Sequence, residues 1–309
     1  MTSSVVLSTY NGARYLLEQL DSLRNQSRTI DEVLISDDCS TDETVELVES
    51  YINDHGLDGW ILSVNMQNKG WRRNFHDLLL AASGDYVFLC DQDDIWLSDK
   101  IAEMLSVMEA HSEIDVLACD VEPFYEARSQ KITRMQGQPA TKLVEFTEVD
   151  KRAVYVQRPG CSYCIRKSFI EQVEPYWDVN WPHDAVLWML SEVKGSLALY
   201  RKPFVRFRRH EGNASARQRL TRESRIADVE ELIERIDVMK RFGSDFGFLT
   251  SQKKAVLDDY RVWLDARRTF LKARDISQLR IVLQGRSRFV TLKGMMVDFA
   301  LAILRNASL

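Results

Sequence analysis

At 309 residues, with 45% hydrophobic side chains, 13 Gly and 6 Pro, the chain can bury a substantial core, and its length fits two domains or one domain with a large appendage. The net charge of −5 hides a split, because residues 1–215 hold 22 Lys+Arg against 34 Asp+Glu while residues 216–309 hold 19 against 12. Acid is the sign a metal site needs and base the sign an anionic surface needs, so the two parts are expected to meet different partners, none of them a nucleic acid.

Val5 to Thr9 is an apolar, β-branched run closed by the turn Tyr10-Asn11-Gly12, which predicts a strand. Tyr15, Leu16, Leu17, Leu20 and Leu23 then repeat at helical spacing. Glu32–Ser36 predicts a second strand ending at Asp37-Asp38, and Thr41 or Asp42 can cap the helix that runs on through Tyr51. A third strand near Trp60–Val64 precedes Asn68-Lys69-Gly70 and a helix through Ala82. Strand and helix alternating at this spacing mean a parallel sheet with right-handed crossovers. Neither GxGxxG nor GxxxxGK[ST] occurs, so any phosphate must be held by other means.

Tyr86 to Cys90 is a short apolar run of the kind found in strands buried on both faces, and it delivers Asp91, Asp93 and Asp94 at its carboxyl end. Ligands of open α/β sheets sit outside that end of the strands. Asp91 and Asp93, two residues apart in extended chain, point the same way and can share one hard divalent cation; the same acids can instead only turn the chain and cap the helix near Ser98. A helix over Lys100–Ala110 and a strand at Val116–Cys119 follow, and residues 123–152 are polar with little pattern. Cys161 and Cys164 form a lone CxxC, weak evidence for zinc and better read as packed thiols. Ser162–Ile165 predicts a strand, Trp181-Pro182-His183-Asp184 a helix start, and Ser196–Tyr200 another strand, after which Val205–Asn213 is a basic segment ending in a loop.

From about Thr221 the periodicity is helical throughout: Ile226 to Met239, then roughly Gln252–Lys272, Ser277–Leu283 and Phe289–Leu304. Arg286, Arg288 and Lys293 sit where the last, apolar helix begins. That pattern suits a segment lying on an anionic membrane surface, or a helix packed on the domain or on a second copy of the chain. No stretch reaches the about 18 apolar residues of a membrane span, and the N-terminus reaches its first strand too soon for a signal peptide. Five cysteines, an odd number, argue for a reducing, cytoplasmic compartment, with the chain peripheral on the inner membrane face if the basic region binds lipid.

Val6-Leu7-Ser8-Thr9-Tyr10-Asn11-Gly12, Ile35-Ser36-Asp37-Asp38-Cys39-Ser40-Thr41-Asp42, Asn68-Lys69-Gly70 with Asn74-Phe75, Asp91-Gln92-Asp93-Asp94-Ile95-Trp96, His183-Asp184 and Arg209-His210-Glu211-Gly212-Asn213 occur in order over about two thirds of the chain. In these motifs the sequence resembles the family 2 glycosyltransferases of the A-type (GT-A) fold, and within them the bacterial rhamnosyltransferase-like group. The resemblance implies an α/β fold: a Rossmann-like, mostly parallel sheet flanked by helices over residues 1–215, with a helical C-terminal region over 216–309.

The resemblance also assigns roles. Thr9, Tyr10, Asn11 and Asp38 would hold the nucleotide, with Lys69, Asn74, Asp91, Gln92, Asp94 and Arg209 also on the donor. Asp93, Asp91 and His210 would hold Mg2+ or Mn2+, and Asp184 would be the base of an inverting single displacement. Asp38 suits its part because an ionised Asp only accepts, and uracil or thymine offers N3–H; Asp37 and Asp38 also suit a plain turn. Arg206, Arg208 and Arg209 are placed to meet diphosphate, and His183 is a second candidate for moving protons. The implied donor is dTDP-rhamnose, with UDP-hexose open, and the implied acceptor a growing polysaccharide or lipid-linked oligosaccharide. A non-catalytic nucleotide-sugar binding module is the alternative from another class. Two departures are visible: Cys39 stands where the family has a small residue such as Gly, and Trp71-Arg72-Arg73 is bulky beside Asn74-Phe75.

Overall fold

The computed structural model describes residues 1–125, 142–210, 221–289 and 291–303. The chain opens with β1 (Ser3–Thr9), α1 (Ala13–Arg24), β2 (Glu32–Asp37), α2 (Thr44–His55), β3 (Trp60–Val64), α3 (Trp71–Ala81) and β4 (Tyr86–Asp91). Val5, Val6, Leu7 and Val87, Phe88, Leu89 are all 0% exposed, as the two-sided burial of central parallel strands demands. Each such side chain contributes about 1.5–3 kcal/mol by leaving water. β1 lies between β2 and β4, and all three run parallel, in a register that sets Thr9 beside Asp37 and Ser8 beside Asp91. Acids from two strands therefore finish at one edge of the sheet.

Beyond β4 come β5 (Ile95–Trp96), α4 (Lys100–Ala110), β6 (Val116–Tyr125), β7 (Val144–Phe146), β8 (Tyr163–Arg166), α5 (Lys167–Val173), α6 (His183–Lys194) and β9 (Leu197–Arg209). The strand order is β3-β2-β1-β4-β8-β6-β9-β5, with β7 on β9. The sheet is mixed: parallel from β3 to β4, then antiparallel where β8 pairs with both β4 and β6. Because β8 runs against β4, its beginning lies beside the end of β4. The strand expected at Ser196–Tyr200 and the basic segment after it are one continuous strand, β9. Its ladder with β6 shifts register where Asp120 faces Pro203, a bulge that absorbs the N–H proline lacks.

The described chain divides into two compact units, one of Met1–Thr147, Val156–Ser191 and Ser196–Asn213, the other of Glu148–Tyr155, Glu192–Gly195 and Ala214–Leu309. In the second unit α7 (Arg222–Asp245) opens with a capping box, Thr221 and Ser224 each accepting from the other's backbone N–H. α8 (Ser251–Ala273) is capped by Thr250, and α9 (Leu279–Gln284) and α10 (Leu292–Ile303) follow. Val229, Ile233, Ile236, Met239 and Phe242 of α7 and Leu257, Tyr260 and Leu264 of α8 are buried at helical spacing. α10 starts at Leu292 rather than at Phe289, because Phe289 is extended and sets its ring edge-on against Trp263 at 5.1 Å. Its expected end, Leu304, lies outside the described residues. No helix among the described residues is long and apolar enough to cross a membrane.

One buried acid fixes α10. Asp298 is 0% exposed, and its two oxygens accept from Arg225 Nε at 2.8 Å and Arg267 Nε at 2.5 Å. Deleting it would leave the buried Arg267 guanidinium without its counter-charge, and breaking a buried pair from one side costs about 3–5 kcal/mol. Asp298→Ala should therefore lower the free energy of unfolding by that amount in a denaturant titration; a loss under about 1 kcal/mol, the scale of an exposed pair, would show that the contact does not hold the helix.

Candidate active site

The loops after β1 and β2 lock to each other through side chains. Asn11 (φ 46°) turns left-handed, its N–H donating to Ser40 Oγ at 2.8 Å while its Oδ1 accepts from Thr41 N–H at 2.8 Å. Cys39 also adopts a left-handed φ of 66°, so at this position a side chain strains a turn that Gly would take freely. Asp37 is buried under Thr9 and Ser40, whose hydroxyls donate to it at 2.8 and 2.6 Å. The Asp38 carboxylate accepts from Lys69 N–H and Gly70 N–H at 2.8 Å each and from Asn65 Nδ2 at 3.1 Å, and so pins the loop that leads into α3. Lys69 extends its ammonium to Asp77 at 3.2 Å. Asn74, on α3, is fully buried and saturated: it donates to Ser8 Oγ and Ser36 O, and accepts from Ser36 Oγ and Asn65 Nδ2. It braces the ends of β1 and β2 from below rather than facing the crevice.

Gln92 ties this loop pair to the next acidic loop. Its amide accepts from Tyr10 N–H at 2.9 Å and donates to Tyr10 O at 3.0 Å. A Cβ on Gly12 would come within 2.3 Å of Gln92 Oε1, so only glycine permits the clamp. Tyr10 itself is left exposed.

Asp91, Asp93 and Asp94 sit where three strands deliver partners from far along the chain. The short β5 pairs antiparallel with β9, Ile95 beside Arg206, which brings the end of β9 against Asp93 and Asp94. There Arg208 N–H donates to Asp94 Oδ1 at 2.9 Å, Arg208 Nε to Asp93 O at 2.7 Å, and Arg208 Nη2 to Glu18 at 2.6 Å, with the guanidinium over the Tyr15 ring. Arg208 is thus a buried brace of the acidic loop, not the diphosphate contact expected of it. Strand alternation turns Arg209 to the other face, over Phe207, while Arg206 lies over Phe124. His210 Nε2 meets Asp93 Oδ2 at 2.7 Å, its ring against Tyr15 at 4.7 Å. Glu211, Gly212 and Asn213 lie outside the described residues.

The 3-10 turn Gly160–Ser162, just ahead of β8, supplies Cys161. Its sulfur and the carboxylates of Asp91 and Asp94 lie within 4.8 Å of one another. Burial, then Asp93 and Asp184, push the Asp91 carboxyl up to about 7, an effect the Cys161 thiol partly relieves. Burial, then Asp91 and Asp93, drive Asp94 well above the usual range, and burial does likewise for the Cys161 thiol. Below them Lys100 is wholly buried, its ammonium donating to Cys161 O at 2.6 Å and resting 3.2 Å from the Trp96 ring centre. Burial lowers its pKa.

Asp184 joins this group from the first turn of α6. The preceding His183 is buried, its ring 4.2 Å from Phe75 and edge-on to Trp71 at 5.7 Å; a Cβ on Gly160 would come within 2.6 Å of His183 Nε2. Burial, against Asp184, pulls its pKa down to about 4, so above that pH the ring is neutral. His183 is a wedge that seats α6 and brings Asp184 to Asp91, and a proton-carrying part does not fit it. Neither Lys100 nor Cys161 was anticipated as part of this site. Lys100 had a faint signal, since it shares the buried helical stripe of Met104 and Met108 at intervals of four; Cys161 had none until β8 was seen to run against β4.

Among the described residues the ligand atoms that gather within 4.8 Å of one another are those of Asp91, Asp94 and Cys161, while His210 meets Asp93; carboxylate oxygens and an imidazole are donor types that suit a hard divalent cation such as Mg2+ or Mn2+. Cys161, kept protonated by burial, is a hydrogen-bond donor to the acids. A folded pKa near 7 against an unfolded value near 3.9 has a definite sign. Asp91 stabilises the metal-free protein fully below the unfolded value, and that stability is lost as the pH rises through about 7. In chelator, Asp91→Asn should therefore melt higher than the wild type at pH 8, with the gap closing toward pH 4. Parallel melting curves across that range would mean the acid is not strained.

The sequence matches the family described as Glycosyl transferase family 2 over residues 4–173. It is 28% identical over 220 residues to the dTDP-rhamnosyl transferase RfbG of Shigella flexneri, covering 67% of this chain and 72% of that protein. It is also 34% identical over 122 residues to the abequosyltransferase RfbV of Salmonella typhimurium, 39% of this chain and 36% of that one. In fold it resembles Staphylococcus aureus TarS 1–349 in complex with UDP-GlcNAc, with a TM-score of 0.62 at 20% identity over 98% of this chain and 82% of that one. The mannosyltransferase PcManGT of Pyrobaculum calidifontis, in complex with GDP-Man and Mn2+, superposes with a TM-score of 0.54 at 16% identity over 97% of this chain and 84% of that one. With the family's span covering more than half of the chain, and the sheet shared with these GT-A structures, the chain belongs to glycosyltransferase family 2.

Proposed function

We propose that this glycosyltransferase moves rhamnose from dTDP-rhamnose onto a hydroxyl of a polysaccharide or lipid-linked oligosaccharide, by an inverting single displacement with Asp184 as base. The observation that carries the reading is the convergence of Asp91 and Asp93, at the end of β4, with Asp184, at the start of α6, close enough that both neighbours raise Asp91. In this reading Thr9, Tyr10, Asn11 and Asp38 line the nucleotide end, and Asp94 and Gln92 keep the acidic loop in place. Lys69 offers its N–H to Asp38, Asn74 supports from below, and Arg209 reaches the donor from the end of β9. Asp93, Asp91 and His210 would hold Mg2+ or Mn2+, which when bound neutralises the departing diphosphate as a Lewis acid. Asp184 takes the proton of the acceptor hydroxyl as that oxygen attacks the anomeric carbon.

The similarity to RfbG, spread over two thirds of the chain, favours dTDP-rhamnose. A UDP-hexose donor is the second reading, favoured by the fold shared with a UDP-GlcNAc complex. All five cysteines are free, which suits a reducing, cytoplasmic setting.

Two substitutions divide the roles. Asp184→Asn should cut turnover by about a hundredfold or more while leaving donor binding intact, since a positioned base contributes on the order of 10²–10⁴. Asp93→Asn should abolish the gain in melting temperature that Mn2+ adds to donor binding. A thermal-shift panel of UDP-, dTDP- and GDP-sugars with and without Mn2+ identifies the donor, because a ligand at 100 times its Kd stabilises by about 2.7 kcal/mol. If both variants, shown by circular dichroism to be folded, turned over at the wild-type rate, the assignment would fail. Donor binding without any transfer would mark a nucleotide-sugar binding module instead.

A further inference from the structure

We propose that the outward face of α10 is a docking surface for an anionic lipid bilayer. The inference is independent of which sugar is transferred. α10 is apolar nearly all round, and its burial shows which side packs: Val297, Asp298, Leu301 and Ala302 are buried. Leu292, Met296 and Ile303 are 70%, 60% and 69% exposed. At about 100° per residue, those three fall within an arc of about 40°, diametrically opposite the centre of the buried side. An unpacked stripe of three large apolar side chains on one helix is not the scattered exposure usual on a soluble surface.

The stripe is not free to roll inward. Asp298 is held between Arg225 and Arg267, so turning Leu292 and Met296 toward the unit would tear a buried carboxylate off two guanidiniums. The outward aim of the apolar face is a consequence of that ion pair.

Charge selects the occupant. Arg286, in the turn six residues ahead of α10, and Lys293, in its first turn, are exposed and form no ion pair among the described residues, whereas Arg288 is already engaged by Asp259. Residues 216–309 carry 19 basic against 12 acidic side chains. A second copy of the chain docking through this face about a twofold axis would bring the same basic residues toward their own copies, and the one acid of α10 is buried. An anionic bilayer supplies what the face lacks, an apolar layer for Leu292, Met296 and Ile303 beneath phosphate headgroups for Arg286 and Lys293.

The test is sedimentation of the full chain with vesicles of phosphatidylcholine alone and of phosphatidylcholine mixed with phosphatidylglycerol, at low and high salt. Wild type should pellet with the anionic vesicles, less so at high salt, and stay in solution with phosphatidylcholine alone. Arg286→Gln with Lys293→Gln should weaken binding about fivefold per charge removed. Leu292→Gln with Met296→Gln should abolish pelleting while both variants keep the wild-type melting temperature, because all four side chains are exposed. The proposal is overturned if wild type does not pellet with anionic vesicles, if it pellets equally with neutral ones, or if the variants bind as wild type does. A dimer in sedimentation velocity that Leu292→Gln with Met296→Gln dissolves would give the face to a second copy, and would overturn it as well.

Discussion

Two carboxylates that cannot both be ionised in the same dry corner organise the first unit. Asp91 and Asp94 approach one another within 4.8 Å beside a thiol. At the effective dielectric of a protein site, roughly 20, two unit charges at that distance repel by roughly 3 kcal/mol, more than a typical hydrogen bond returns. The chain answers with two donors, the Arg208 N–H from β9 and the Cys161 thiol ahead of β8, and with the positive charge of Lys100 beneath. These soften the repulsion without cancelling it. What remains is a corner in which Asp91 keeps a proton up to about neutral pH.

The strands that create this corner were legible because their cause is local. A run such as Val5-Val6-Leu7 or Val87-Phe88-Leu89 can only be a strand buried on both faces, and alternation with helices implies a parallel sheet whose ends align. From that, the meeting of Asp37 and Asp91 at one edge follows without any knowledge of contacts. The second half of the sheet was not legible in the same way. Whether β8 runs with or against β4 depends on the path of residues between them, and no periodicity records it. With that direction unknown, Cys161 remained one half of an uninformative CxxC. Once β8 is antiparallel, the beginning of that strand must lie at the end of β4, and the thiol lands on the acids.

The basic motif near the end of β9 shows the same limit in a different form. Arg206, Arg208 and Arg209 are equivalent as sequence, three cations close to a histidine. In a strand they cannot be equivalent, since successive side chains leave opposite faces. Arg208 falls on the inner face and is consumed by Glu18 and the Asp93 carbonyl; Arg209 falls on the other. His210, one residue beyond the strand, meets Asp93. The basic cluster therefore divides by geometry alone into a brace, a charge on the opposite face and an imidazole paired with Asp93, and composition could only name the group. The same holds for His183-Asp184: adjacent in sequence, they divide into a buried neutral wedge and a partly exposed acid because the helix starts between Gly160 and Phe75.

In the second unit the hydrophobic pattern underdetermines the structure and a single polar residue decides it. A helix such as α10, apolar on nearly every side, could pack with any face inward, because Leu292, Met296 and Ile303 would bury at least as much apolar area as Val297, Leu301 and Ala302 do. Hydrophobic burial is non-directional and cannot choose. Asp298 can, since a carboxylate taken out of water is tolerable in only one orientation, the one that meets both Arg225 and Arg267. Fixing that orientation leaves the larger apolar side chains in water, a cost of about 1.5–3 kcal/mol for each one that could have been fully buried. The folded unit accepts this exposure instead of trading the acid for another apolar residue and rolling the helix.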